Sequence, residues 1–210
     1  MSDSSSDVDR TNLPSPTPFI IPERGQYHVQ ELVMYGSVKK EWAAYLFQYL
    51  DNHCVTKVTY TEHETTYTNK YPIYGCTRER IPNIDLKLRE RSDSKTKGHY
   101  HLKYYGHIEP EESVVYRKCI NTFISSRNID EFLTCLGLQK EYEYPVHGKV
   151  YTYNNIKIRT SELLLTPEDG GLWVVSDKSL LVEISINLPE NVDYRPSAKL
   201  LVDFGKTLDP

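Results

Sequence analysis

The chain has 210 residues, a formal net charge of −4 and an isoelectric point near 6.0, which suits one domain, with a soft upper limit near two, and excludes a chain-wide electrostatic hold on nucleic acid. Its 17 tyrosines are many for this length, and tyrosine favours strands and half-buried or partner-facing surfaces. No apolar run is long enough to span a bilayer, and the polar, acidic start MSDSSSDVDR lacks the parts of a secretory signal and, with Ser2, the glycine of myristoylation.

Residues 1–25 are rich in Ser, Asp and Pro and bury too little apolar surface to offset their ordering entropy, so a disordered arm is expected there. Residues 26–210 read as a single domain. His28 to Gly36 is apolar and extended, a first strand. Ser37 is placed to cap a helix whose face carries Val38, Trp42, Tyr45, Leu46, Tyr49 and Leu50 at helical spacing. Residues 54–75, rich in Thr, Tyr and Val, read as a strand with a turn or as a hairpin. Ile84, Leu86 and Leu88 then alternate with Asp85, Lys87, Arg89 and Arg91. After a polar loop, Tyr100, Leu102 and Tyr104 alternate with His99, His101 and Lys103. The two runs predict a hairpin with one basic face, turned inward or outward.

Ser113 to Ile124 predicts another strand. Asn128, with Glu131 three residues on, predicts a capping box opening a helix with Ile129, Phe132, Leu133 and Leu136 on its apolar stripe and Gly137 as its stop. Asn154-Asn155 between alternating apolar residues predicts a tight hairpin. Leu180 to Ile186 predicts a further strand. Pro196 opens a final helix with Leu200, Leu201 and Phe204 on one side and Gly205 near its end. The count is about eight or nine strands with a few helices, and the hairpin signals imply antiparallel pairing. The fold class is mainly β: an antiparallel barrel, closed or nearly so, with a two-layer α+β sandwich as the alternative.

The chemistry-bearing pattern is charge in rows. If the strands close into a tunnel with those rows inside, Lys87, Arg89, Arg91 and Lys103 could grip a polyphosphate. Glu141, Glu143 and Glu183 could then hold a divalent metal. A metal-dependent triphosphatase of the tunnel type is the resulting enzymatic alternative. It sits poorly on the spacing: Glu31 is alone on its strand, Glu141-x-Glu143 is followed by Pro145, and Glu183 alternates with Ser185 and Asn187. The plainer reading of these rows is solvated strand faces. His99, His101 and His107 lack a carboxylate partner for a metal. Cys54, Cys76, Cys119 and Cys135 form no C-x-x-C pair and read as reduced thiols, with Cys119 a packed core residue. Gly170-Gly171 reads as a turn, and no nucleophile elbow or phosphate loop is present. The stretch from Arg78 to Lys103 carries eight Lys or Arg against four Asp or Glu, but with no RNA-binding motif direct nucleic-acid binding is not expected. Neither a catalytic residue nor a cofactor or metal site is assigned. Tyr100, Tyr104, Tyr142, Tyr144, Tyr151 and Tyr153 are aromatic candidates for partner surfaces, with half or more expected in the core.

Six stretches in order carry a resemblance. They are Glu31-Leu-Val-Met-Tyr-Gly-Ser-Val38, His101-Leu-Lys-Tyr-Tyr-Gly106, Arg117-Lys-Cys-Ile-Asn121, Asn128 to Gly137, Gly148 to Ile158, and Leu181-Val-Glu-Ile-Ser185. Their order and spacing resemble the Mediator subunit 18 family, a head-module component of the RNA polymerase II Mediator, from about residue 28 to the C-terminus. Residues 1–25 and 166–178 fall outside it. The resemblance implies an antiparallel barrel shaped like the tunnel triphosphatases but without their activity. It also implies pairing with subunit 20, tethering by a C-terminal helix of subunit 8, contact with other head subunits and RNA polymerase II, and a nuclear location. A non-enzymatic coactivator subunit working through protein–protein contacts is the function it implies.

Overall fold

The computed structural model describes residues 26–69, 84–91, 98–109, 113–165 and 173–208. The expected arm, Gly170-Gly171, Cys76 and most of the basic loop segments lie outside the described residues.

The elements run β1 (Gln26–Lys39), α1 (Ala43–His53), β2 (Thr56–Thr68), β3 (Asp85–Arg91), β4 (His99–Glu109), β5 (Val115–Ser125), α2 (Ile129–Cys135), β6 (Gln139–Tyr153), β7 (Ile156–Leu165), β8 (Trp173–Val174), β9 (Ser179–Pro189) and α3 (Arg195–Thr207). The strands are ordered β6-β2-β3-β4-β5-β1-β9-β7, and β6 pairs with β7 to close the ring. All pairings are antiparallel. The barrel of eight strands expected from the sequence is what forms; β8 is a two-residue addition on the end of β7.

The tight hairpin forms where expected. Tyr153 pairs with Ile156, and Asn154 between them takes a φ of 52°, the left-handed conformation that asparagine tolerates. Gly137 ends α2 at a φ of 86°, with the Leu138 N–H reaching back to the Leu133 carbonyl, a left-handed helix stop. Pro196 lies in the first turn of α3, where its missing N–H is not needed.

Two local expectations change, the caps at Ser37 and Asn128. Ser37 caps nothing: the β1–β9 ladder runs on to Lys39, paired with Ser179, and α1 begins only at Ala43. Continuous ladder hydrogen bonds outweigh one side-chain cap. The Asn128–Glu131 pair is present, but as a side-chain contact at 3.2 Å, with no side-chain cap on the helix backbone. Residues 56–68 form one long strand with a register shift against β6 at Thr66/Tyr67, and residues 70–75, where the turn is expected, lie outside the described residues. Gly205 lies in the last turn of α3, near its end as expected. A Cβ there would meet Met34 and Ile184 at 3.3–3.4 Å, so α3 lies close against the barrel at this point.

Three helices clad the outside of the wall, and the apolar core lies beneath them. Leu50 of α1 and Leu201 and Phe204 of α3 pack with Leu32, Tyr116, Tyr151, Ile158, Ile184 and Ile186 from the strands. Ile129 and Leu133 of α2 pack with Tyr67, Leu88 and Leu138, joined by Leu86, Tyr100, Leu102 and Ile124. Each such side chain contributes roughly 1.5–3 kcal/mol of burial. Since strand residues alternate sides, the other half of every strand must face the lumen.

Candidate functional site

The lumen is where the charge goes. Glu31 on β1 accepts from Lys103 Nζ on β4 at 2.5 Å and from Arg117 Nε on β5 at 2.7 Å. β4 and β1 are not neighbours, because β5 lies between them, so the Lys103 contact crosses the concave side of the wall. The Arg117 guanidinium and the Lys103 ammonium also lie over the Tyr105 ring, at 3.8 and 4.6 Å from its centre. Glu64 on β2 accepts from Lys87 Nζ and Arg89 Nε on β3, at 2.5 and 2.6 Å, and from the Tyr144 hydroxyl on β6 at 2.5 Å. Arg159 on β7 donates to Glu62 at 2.8 Å and to the Tyr60 hydroxyl at 2.5 Å. β7 and β2 are likewise separated by β6.

The electrostatics follow from burial and these pairs. Burial alone would raise the Glu64 carboxyl, but Arg89 and Lys87 outweigh it and pull it down to about 2. Glu31 is lowered in the same way, burial opposing and Lys103 and Arg117 prevailing. Both carboxylates are therefore ionised at neutral pH and fully engaged. Cys119, buried beside Glu31, donates its thiol at 3.6 Å to that carboxylate. Its thiol is pushed up to about 12, first by burial and then by the Glu31 charge, so it is inert as a nucleophile. His101 is driven down to about 4 by burial and by the facing cations Arg89, Lys103, Lys157 and Arg159, which keeps it neutral.

The sequence-derived candidates separate on this map. Lys87, Arg89 and Lys103 come together in the lumen, so the reading of these rows as solvated faces gives way to an inward-facing one. Glu183 is opposite Arg159 in the β7–β9 register, on the lumen side. Glu143 is on the other side of the wall: it is paired across from Thr65 and bridged to Lys140. Glu141 is exposed near the β2–β6 register shift. The supposed acidic row is thus never assembled. Among the described residues no three His, Cys, Asp or Glu side chains converge as metal ligands. His99 shares a 2.7 Å hydrogen bond with Ser125, His101 stacks on Phe123, and His107 is exposed beyond a second register shift. Of the tyrosines, Tyr151 is fully buried, Tyr153 stacks on Phe204 and Tyr100 packs on the α2 cluster. Tyr144 belongs to the lumen, and Tyr142 is exposed.

Sequence reading missed Glu64, Arg117, Lys157 and Arg159. The signal was present as parity: Tyr60, Glu62, Glu64, Thr66 and Thr68 share one face of β2, and Lys157, Arg159 and Ser161 one face of β7.

The outer wall carries a second feature. A groove of about 580 Å³ opens between α1, β1 and α3, lined by Met34, Trp42, Tyr45, Leu46, Ile184 and Leu208 among others. Trp42 is 52% and Tyr45 66% exposed, although both belong to the apolar series of α1.

Compared with known proteins, residues 30–208 match the sequence profile of the Med18 protein family. The chain belongs to that family. Mediator of RNA polymerase II transcription subunit 18 from Caenorhabditis elegans is 34% identical over 192 residues, covering 88% of this chain and 81% of the relative. The namesake subunit from Aedes aegypti is 23% identical over 171 residues, covering 78% and 74%. Among solved structures, a chain of the Schizosaccharomyces pombe Mediator head module superposes with a TM-score of 0.66 at 16% identity, covering 85% of this chain and 92% of that one. A putative adenylate cyclase from Vibrio parahaemolyticus gives 0.52 at 15% identity, covering 88% and 90%. At these identities the superpositions show a shared barrel and nothing of activity. This Med18-family chain is therefore a Mediator subunit built on a barrel that unrelated functions also use.

Proposed function

We propose that the chain is a non-enzymatic subunit of the Mediator head module, acting in the nucleus as part of the assembly that links gene-specific regulators to RNA polymerase II. The family match across residues 30–208 carries this reading. Within it, the chain pairs with subunit 20 and is tethered by the C-terminal helix of subunit 8. The groove beside Trp42 and Tyr45 is the surface we assign to that helix, because an amphipathic helix docks by setting apolar anchors into such a groove. The non-enzymatic reading is supported by the lumen carboxylates: Glu31 and Glu64 are each clamped by two cations, and a metal would have to displace them.

A tagged pull-down with mass spectrometry tests the assembly claim. Subunit 20 and subunit 8 should both be recovered, and Trp42→Ala should reduce subunit 8 while sparing subunit 20. Recovery of neither would overturn the reading, and so would Mg²⁺- or Mn²⁺-dependent triphosphate hydrolysis above background.

A further inference from the structure

The lumen holds more cation than its carboxylates neutralise. Among the described residues, Lys87, Arg89, Lys103, Arg117, Lys157 and Arg159 are set against Glu31, Glu62, Glu64 and Glu183, six against four, with Asp85 and Arg91, one of each sign, at the two ends of the β3 row. Glu31 and Glu64 each sit between two cations, so each cluster keeps a formal positive charge. Lys157 makes no hydrogen bond or ion pair with any described residue. The protein crowded around it and its cationic neighbours Arg159 and Arg89 depress its ammonium, with Glu183 opposing, although its side chain still reaches solvent.

A second observation is independent of charge. The Thr66 hydroxyl, 2% exposed and opposite Lys87 in the β2–β3 register, has no hydrogen-bond partner among the described residues. The Asn121 side-chain oxygen, opposite Lys103, is likewise buried and unpartnered. A buried hydroxyl without a partner costs free energy unless something supplies one. Surplus cations and a spare hydroxyl suit the same ligand chemistry, since phosphate oxygens accept from N⁺–H and O–H donors. Lys87 and Arg89 on β3, and Lys157 and Arg159 on β7, recur at two-residue intervals, roughly 6–7 Å along each strand, so the cationic lining extends along the bore. That spacing suits a linear chain of phosphates better than a single one.

We propose that the lumen is a binding site for a linear polyphosphate, either inorganic triphosphate or the triphosphate of a nucleotide, held by Lys157 and the Thr66 side of the bore without a divalent metal and without hydrolysis. The surplus cations offset part of the ligand's charge, and their N–H donors take contacts that a metal would otherwise make. The proposal stands apart from the assembly role and survives its failure.

The test is calorimetric titration of the full chain with sodium triphosphate in EDTA, with orthophosphate and a nucleoside triphosphate as parallel arms. Saturable binding of triphosphate is expected, weaker for orthophosphate and weakening with salt. Lys157→Met should lower affinity about tenfold or more. Lys118→Met, on the outer wall and paired with Glu190, should leave it unchanged. Lys157 has no ion pair to lose, so its replacement should not unfold the barrel, which circular dichroism checks. The His101 ring, faced by Arg89, Lys103, Lys157 and Arg159, should titrate at higher pH once triphosphate is bound, as read by NMR. Equal binding of the inorganic and nucleoside forms marks the phosphate chain as the recognised group. Binding of only one form identifies the source, whereas no saturable binding of either, equal loss in both lysine variants, or an unmoved His101 would each overturn the proposal.

Discussion

The two faces of one barrel wall are built on opposite principles. Outside, Leu32, Ile158, Ile184 and Ile186 lie under helices and are held by non-directional burial. Inside, Glu31 and Glu64 are each held by two specific cations at 2.5–2.7 Å, and little stability is gained unless every partner is present. The outer face should therefore degrade gradually under substitution and the inner face abruptly.

The largest effect should come where the two faces cannot be told apart, in the backbone. A Cβ at Gly148 would lie 1.9 Å from the Thr160 carbonyl and 2.8 Å from the Tyr60 hydroxyl, so Gly148→Val should cost on the order of 5 kcal/mol in urea unfolding. Next, Glu31→Ala strands Lys103 and Arg117 and should cost about 3–5 kcal/mol. Replacing all three by apolar residues of similar volume should recover most of that loss. If the single variant is no worse than the triple, the contrast between faces fails. Leu201→Ala, on the outer side, should cost about 2–5 kcal/mol, set by how well α3 settles back.

The inner face should also make stability depend on pH, and in one direction. Glu64, with its folded value down at about 2, contributes stability that is complete above the ordinary carboxylate range and is lost as pH falls toward 2, on the order of 3 kcal/mol. His101 titrates near 4 in the fold and near 6.5 when unfolded. The unfolded chain therefore takes the proton first, and stability falls between those values by about 1–3 kcal/mol. Thermal unfolding should show the loss starting near pH 6.5 in the native chain. In His101→Gln it should begin only below about 4.5. The smallest change in stability, within about 0.5 kcal/mol, is expected for Tyr45→Ala, whose side chain is mostly exposed; its effect should appear in partner binding instead.

Much of the architecture was legible in the sequence because period-2 alternation and turn chemistry are local signals. Ile84 to Arg91, the Asn154-Asn155 turn, Gly137 and the Pro196 helix all read correctly for that reason. What resisted was anything decided by a partner strand. Ser37 looks like a cap until β9 pairs with it, and the alternating charges look solvated until the ring closes around them. The lumen site was half visible: Lys87, Arg89 and Lys103 were singled out, yet Glu64, which organises two of them, sits in a Thr- and Tyr-rich run that showed nothing but strand. Glu141 and Glu143 drew attention by their spacing, but Glu141 is the extra residue of β6 at its register shift against β2, and Glu143 is on the outward face of β6.

Closure has one further consequence. With β6 joined to β7 over residues 146–153, every strand of the ring has a partner on both sides over part of its length, and the exceptions among the described residues are overhangs such as residues 139–145 of β6, which run past the end of the β7 ladder. Over the closed stretch a neighbour therefore cannot attach by lending a strand and reading the main chain. It has to recognise side chains, one surface at a time. Each contact can then be altered by substitution without touching the hydrogen bonds that hold the ring together, so the docking surfaces are free to diverge on a frame that is not.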